Sequence, residues 1–582
     1  MNKYIAFAVA LLSSCLALQA QIKWENPAQQ SFPVVKGQAW SAELKGTYYR
    51  LPQRAKEKVR SPLWDLSRQS AGLSIGFYSD APEIKVRYVI TGSHAMPHMP
   101  ATGVSGVDLY AIDDNGRQRW CGGRYAFGDT VTYTYSKLSY SNTFHRKGYE
   151  YQLFLPLYNS VTWLEIGVSK DALLSFIPVS QEKPLVIYGT SIAQGACASR
   201  PGMAWTNIIE RNMEHPVVNL GFSGNGKLES ELFDLLVEID ARMYIIDCMP
   251  NLAGEESAKV IYDRTLQGVK KLRQKSPAPI LLVEHSGYTN ELTSQTTEAS
   301  YRVANVELRK AYEALRSEGV AEVYYLTKEE IGLSMDAMVE GVHPSDLGMQ
   351  QYADSYIKKI KEVLHEESGT SSTTIPCKQR REPDMYEWNT RHEQVLKLNK
   401  EQEPEIVMMG NSITHYWAGE PLAPQQAGKA SWDKLFKGKR VHNLGFGWDR
   451  VENVLWRIYH GELDGYRTKS IFMMIGTNNL EFNTNEEIIT GIQQVVKAIL
   501  LRQPTAKLHI IGILPRAGME ERVKVFNLNL QEQLRTTNAC YVDLGVGLTD
   551  KNGLIDHSLF RDSVHPNAQG YEAIAKELKK QF

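Results

Sequence analysis

Val186-Ile187-Tyr188-Gly189-Thr190-Ser191 decides the fold of this chain, because the same pattern returns as Ile406-Val407-Met408-Met409-Gly410-Asn411-Ser412. Each is a run of apolar β-forming residues that stops at a glycine and then presents a hydroxyl. Each is answered far downstream, the first by Glu340-Gly341-Val342-His343-Pro344 and the second by Asp562-Ser563-Val564-His565-Pro566. Serine and histidine are 152 residues apart in one copy and 153 in the other.

Outward from the first run, short β patterns at Leu185 to Tyr188, Val217 to Asn219, Met243 to Asp247, Ile280 to Glu284 and Val323 to Leu326 alternate with helical patterns at Glu229 to Ile239, Ala258 to Gln274 and Ser300 to Ser317. Strands separated by helices predict a parallel sheet with right-handed crossovers, hence a three-layer α/β unit. After the second run the alternation restarts. Strand-like stretches are Ile406 to Met409, Val441 to Asn443, Ile471 to Ile475, Leu508 to Ile513 and Tyr541 to Leu544; helical ones are Val451 to Tyr459, Asn485 to Leu501 and Ala568 to Lys580.

Before Pro184 the period is two. Ile84, Val86, Tyr88 and Ile90 alternate with Glu83, Lys85, Arg87 and Val89, as a half-buried strand requires. Val107 to Ile112 runs into Asp113-Asp114-Asn115-Gly116, a hairpin signal, and Tyr149 to Leu155 and Val161 to Val168 add strands. An all-β sandwich of jelly-roll type is expected. Trp120, Tyr125 and the Tyr133 to Tyr140 region either hold a glycan or fill the core. His94-Ala95-Met96-Pro97-His98-Met99-Pro100 is too proline-rich for a strand; it is read as a surface loop or one that leans over the neighbouring active site.

These patterns divide the chain into a signal peptide (1–20), a β-sandwich (21–180), a first α/β unit (181–367), a polar linker (368–385) that includes Gly369 to Thr374 and Lys378-Gln379-Arg380-Arg381, and a second α/β unit (386–582). Lys3, the apolar run Tyr4 to Leu12 and the small residues before Gln21 fit a secretory signal. The run is too short to span a bilayer, which takes roughly 20 apolar residues. Cys15 leaves lipoprotein anchoring as the alternative. The expected location is the periplasm, the cell surface or outside the cell.

With 582 residues the chain exceeds one core, and its net charge of −1 argues against a nucleic-acid partner. Cys121, Cys197, Cys248, Cys377 and Cys540 are scattered and odd in number. They read as buried hydrophobes, not a disulfide framework or metal site, and no cofactor is expected.

In an open parallel sheet, ligands bind beyond the carboxyl ends of the strands, where Ser191 and Ser412 fall. A serine there often only caps the next helix. Three later elements favour chemistry: Asn219-Leu220-Gly221 and Asn443-Leu444-Gly445 after the second strands, Asn251 and Asn478 after the third, and a carboxylate three residues before each histidine. A glycine N–H and an asparagine amide supply donors for a developing oxyanion. The carboxylate can orient the histidine that takes the serine proton. Glu340 fills the acid position in the first unit, with Asp346 as the alternative. His285, His442 and His509 lie on strands and read as structural.

The order Gly-x-Ser, Asn-x-Gly, Gly-x-Asn and Asp-x-x-His-Pro resembles the SGNH (GDSL) hydrolase superfamily. The resemblance implies two flavodoxin-like domains preceded by a jelly roll. The unit from Gly410 onward is similar to platelet-activating-factor acetylhydrolase catalytic subunits and bacterial carbohydrate acetylesterases. It implies Ser412 as nucleophile, His565 as base, Asp562 as its acid, and Gly445 and Asn478 as oxyanion donors with the serine N–H. The middle unit is more divergent, with Ser191, Glu340, His343, Gly221 and Asn251 at matching positions, although Glu340 replaces the usual aspartate and Cys248-Met249-Pro250 the usual glycine context. The expected function is metal-free removal of O-acetyl groups from a glycan. The alternatives are a lipid acyl hydrolase, a sialate O-acetylesterase, or a glycan-binding protein with one active unit.

Overall fold

The computed structural model of the chain describes residues 21–113, 116–139, 147–293, 295–381 and 385–582, and not the side chains of 295–299. The expected signal segment, Asp114-Asn115 and Tyr140 lie outside the described residues. Two antiparallel sheets pack face to face at the N-terminal end. One orders its strands 22–25, 161–169, 83–90, 131–136 and 124–126; the other orders 174–176, 74–79, 149–154, 108–112 and 118–121, with a short strand 35–36 beside 74–79. The alternation read from Ile84, Val86 and Tyr88 places all three in the core between the sheets, against Phe77, Leu109 and Tyr151. Tyr133 and Tyr135 are buried there too. Trp120 and Tyr125, however, are each 55% exposed, so the aromatic group divides between core and surface.

Both α/β units are five-stranded parallel sheets with the spatial order 2-1-3-4-5. In the first, Leu185–Gly189 lies between Val217–Gly221 and Met243–Asp247, followed by Ile280–Val283 and Val323–Leu326. In the second, Ile406–Gly410 lies between Val441–Gly445 and Ser470–Met474, followed by Lys507–Ile511 and Ala539–Val542. All five residues of Leu185–Gly189 and of Ile406–Gly410 are buried, as expected of a strand covered on both faces by helices. Separate apolar clusters form on the two faces of each sheet. The register aligns Gly189 with Gly221 and Gly410 with Gly445, so both Asn-x-Gly stretches end level with the residue before the site. The sequence expected one helix over Ala258 to Gln274; the chain forms two, Glu255–Ala258 and Ile261–Lys275.

The segment expected to be a polar linker is packed instead. Thr373, Thr374, Gln379, Arg380 and Arg381 are buried. Arg380 donates to Glu150 of the sandwich and to Glu214 of the first unit, both at 2.8 Å. Arg381 donates to Asn453 of the second unit at 2.7 Å. A basic run that looks solvated in sequence is thus paired across three domains, the condition under which arginine can be buried. Of the cysteines, Cys121, Cys197 and Cys248 are buried, Cys377 is half-buried and Cys540 is exposed; all five are free thiols.

Candidate active sites

Each serine opens a short helix at the carboxyl end of its first strand, Ser191–Gln194 and Ser412–His415. The capping role that sequence assigns to a serine there belongs to the residue before it. Thr190 Oγ1 accepts from the N–H of Ile192 at 3.3 Å, and Asn411 Oδ1 from the N–H of Ile413 at 3.0 Å. Both serine hydroxyls are thereby released from the backbone. Ser191 Oγ lies 2.8 Å from His343 Nε2, and Ser412 Oγ lies 2.9 Å from His565 Nε2.

The far ring nitrogens face carboxylates. His565 Nδ1 lies 2.8 Å from Asp562 Oδ2. Asp562 Oδ1 also accepts the N–H groups of Val564 at 2.8 Å and His565 at 2.7 Å, so the turn that brings acid and base together is built by the acid itself. Burial alone would raise Asp562, but those N–H groups together with the His565 ring outweigh it and hold the carboxyl below its usual range. Burial pushes His565 below its ordinary value of 6.5, with Asp562 pulling the other way and Arg561 and Arg516 reinforcing the fall. In the first unit His343 Nδ1 contacts Glu340 Oε1 in a short hydrogen bond, and Glu340 accepts the His343 N–H at 3.0 Å. The extra methylene of glutamate is accommodated. Asp346, the alternative acid, is engaged elsewhere: it accepts from Ser199 N at 2.9 Å and Ser199 Oγ at 2.5 Å.

Gly221 and Gly445 require a correction. Their N–H groups do not face the serines; each donates at 2.8 Å to the side chain of the asparagine two residues earlier, Asn219 and Asn443. The same asparagines donate back to the serine helices, Asn219 to Ala193 O at 2.7 Å and Asn443 to Thr414 O at 2.8 Å. A Cβ at Gly221 would stand 2.3 Å from Gln194 N, and one at Gly445 2.2 Å from His415 N. Asn-x-Gly is therefore a clamp: asparagine ties the strand end to the nucleophile helix, and glycine lets the two backbones touch. A buried arginine closes each clamp from behind. Arg50, before the first sandwich helix, donates to Gly221 O at 2.6 Å, and Arg391 donates to Gly445 O at 2.7 Å.

Asn478 faces the second site, and Asn251 holds the matching place in the first unit, in the turn after the third strand. Asn251 Oδ1 accepts from Gly226 N at 2.9 Å, which turns its NH₂ away from that loop. Asn478 Nδ2 donates one hydrogen to Asp449 O at 2.9 Å and keeps the other. Asn478 lines the same cavity as Ser412 and His565, with a volume of about 660 Å³.

The proline-rich loop of the sandwich leans over the first site. The His98 ring stacks on that of His343 with centroids 5.7 Å apart, and Cys197 Sγ donates to His98 O at 3.3 Å. The ligand atoms of His98, Cys197 and His343 lie within 4.8 Å of one another, as do those of Glu182, His215 and His460 at the join between the α/β units. These are the two clusters among the described residues with the donors for a transition metal. Sequence spacing showed neither, because their members come from distant segments. His285, His442 and His509 are buried away from the serines, and burial lowers them to about 3, 4 and 4.

The sequence matches the GDSL-like Lipase/Acylhydrolase family twice, over residues 182–361 and 408–573, and a family described as the N-terminus of Esterase_SGNH_hydro-type over residues 22–174. Platelet-activating factor acetylhydrolase IB subunit alpha2 of Homo sapiens is 31% identical over 197 residues, 33% of this chain and 81% of that protein. Subunit alpha1 of Bos taurus is 29% identical over 196 residues, 33% of this chain and 80% of its own. The crystal structure of a putative GDSL-like lipase from Bacteroides ovatus superposes with a TM-score of 0.54 at 30% identity, covering 59% of this chain and 98% of that one. With two such domains, each ending its first strand at a serine held by a histidine and a carboxylate, the chain belongs to the GDSL-like (SGNH) hydrolase family and is an esterase of that type.

Proposed function

We propose that the protein is an exported carbohydrate esterase with two active sites, each releasing O-acetyl groups through an acyl-enzyme. The observation that carries this reading is the pair of complete serine, histidine and carboxylate chains, closed at 2.8 Å and 2.9 Å between Oγ and Nε2. In this mechanism Ser191 or Ser412 attacks the ester carbonyl while His343 or His565 takes the hydroxyl proton. Glu340 or Asp562 holds the ring and stabilises the imidazolium. The carbonyl oxygen, now negative, is met by the amide of Asn251 or Asn478 and by the N–H of the serine, a contribution on the order of 3 kcal/mol per donor. The imidazolium then gives its proton to the departing sugar oxygen, which leaves as the hydroxyl, and water attacks the acetyl-serine with the same histidine as base, releasing acetate and restoring the serine.

An acetyl group suits the second site because the cavity, about 660 Å³, sets the charged side chains of Arg381, Arg450, Arg516 and Arg561 among its apolar lining of Met385, Trp448, Phe482 and Val564. A long acyl chain would need an extended apolar groove. Export rests on the N-terminal signal pattern, and N-terminal sequencing of the mature protein starting at Gln21 would support it. The functional test is acetate release from acetylated xylans, pectins, mannans and sialosides by the mature chain and its Ser191→Ala, Ser412→Ala and double variants. The expected result is that each single variant loses part of the activity and the double variant all of it. Full activity in the double variant would overturn the proposal.

A further inference from the structure

We propose that the Ser412 site selects esters carried on sugars that bear a carboxylate, a specificity the Ser191 site lacks; this rests on Ser412 being the nucleophile of an esterase. Four guanidiniums, Arg381, Arg450, Arg516 and Arg561, line the cavity that contains Ser412 and His565. The carboxylates lining it are Glu481, already paired with Arg516, and Asp562, already held by His565. Three of the arginines are anchored by neutral acceptors, and of these Arg516 also pairs with Glu481 and Arg561 stands 4.0 Å from Asp562. Arg381 donates to Asn453 Oδ1 at 2.7 Å, Arg516 to Thr477 O at 2.7 Å and Arg561 to Gln425 Oε1 at 2.5 Å. The remaining N–H groups of such a fork match a carboxylate. The positive charge bears on the reacting centre: burial is the main cause of the lowered proton affinity of His565, and Arg561 and Arg516 add to it.

Two rings at the rim supply the rest of a sugar subsite. Phe482 is 62% exposed, with Arg450 stacked 3.8 Å over it. Trp448 is 41% exposed and holds φ at +66°, a region that bulky residues rarely occupy and that concentrates at ligand sites. Aromatic faces flanked by arginine suit the apolar face of a pyranose carrying a negative group. Counting from shared landmarks, the first unit has Gly224 where the second has Trp448, Gly226 for Arg450 and Val339 for Arg561. The two sites therefore differ in charge on the same scaffold.

The test uses the full mature chain carrying Ser191→Ala, so that only Ser412 acts. Hydrolysis of p-nitrophenyl acetate that vanishes when Ser412→Ala is added reports separately on the esterase reading. The specificity is read as the ratio of kcat/KM for O-acetylated oligogalacturonide to that for O-acetylated xylo-oligosaccharide, with an acetylated glycerophospholipid as a third substrate. We expect a ratio of at least ten, falling tenfold or more in Arg450→Gln and in Arg561→Gln, partly restored by Arg561→Lys, and compressed by 0.5 M salt at about a 4 Å Debye length. Trp448→Gly, which copies Gly224, should raise KM for both oligosaccharides without lowering Tm. A ratio near one, a ratio indifferent to both arginine substitutions, or a preference for the phospholipid would overturn the proposal.

Discussion

Replacing Gly445 by alanine separates the clamp from the oxyanion role that sequence assigns to this residue. Alanine keeps the N–H, so a residue that served only as a donor would tolerate the change. The structure places the new Cβ 2.2 Å from His415 N and 2.6 Å from Thr414 C, both in the backbone of the helix that carries Ser412. Ordinary contact is beyond about 3.4 Å, so strand end and helix must part by roughly 1 Å, and no flexible side chain is there to yield. Overpacking of this kind costs on the order of 1–3 kcal/mol of stability. A displacement of about 1 Å at the nucleophile costs on the order of 100-fold in rate, which is about 2.7 kcal/mol of barrier. In a Ser191→Ala chain, Gly445→Ala should therefore lower kcat for p-nitrophenyl acetate about 100-fold and lower Tm together. Gly221→Ala should do the same to the first site in a Ser412→Ala chain, where the Cβ meets Gln194 N at 2.3 Å. Unchanged kcat and Tm in Gly445→Ala would refute the clamp.

Asp562→Asn should reduce kcat at the second site on the order of 10³–10⁴-fold by favouring the wrong imidazole tautomer, and Glu340→Gln should do likewise at the first; if Glu340→Gln is silent in single-turnover assays, the short contact to His343 is not catalytic. The base His565 works deprotonated and its pKa lies below 6.5, so kcat/KM at the second site should rise with pH through a midpoint below 6.5, and a midpoint above it would contradict the desolvation argument. His98→Ala should raise KM at the first site by about 2- to 10-fold, the worth of one ring stack, and leave the Ser412 site untouched in the Ser412-only chain; equal effects on both sites would show a general loss of folding.

The sequence by itself determined the two α/β units and the residues that meet in each. Hydrophobic runs ending at Gly189 and Gly410 could only be central strands, and the chain order of serine and acid-x-x-histidine brings both to the carboxyl ends once the strands are parallel. Local pattern was enough there because acid and histidine share one turn and the serine follows its strand directly.

What depended on direction and distant contact was decided by the tertiary structure. Whether an N–H faces a substrate or a neighbouring side chain is a matter of orientation, so Asn-x-Gly, read as oxyanion machinery, proved a clamp. Whether a basic run is solvated depends on what packs against it, so Arg380 and Arg381 lie buried among three domains instead of in a free linker. Arg50 comes from the sandwich, and nothing in its own segment announces the sheet end it reaches. The proline-rich loop of His98 could be read as a cover for the neighbouring site or as plain surface, and only the fold shows the ring stacked on His343. Arg450, Arg516 and Arg561 are unremarkable surface residues in the sequence. Only the folding of three separate loops around Ser412 turns them into one charged wall.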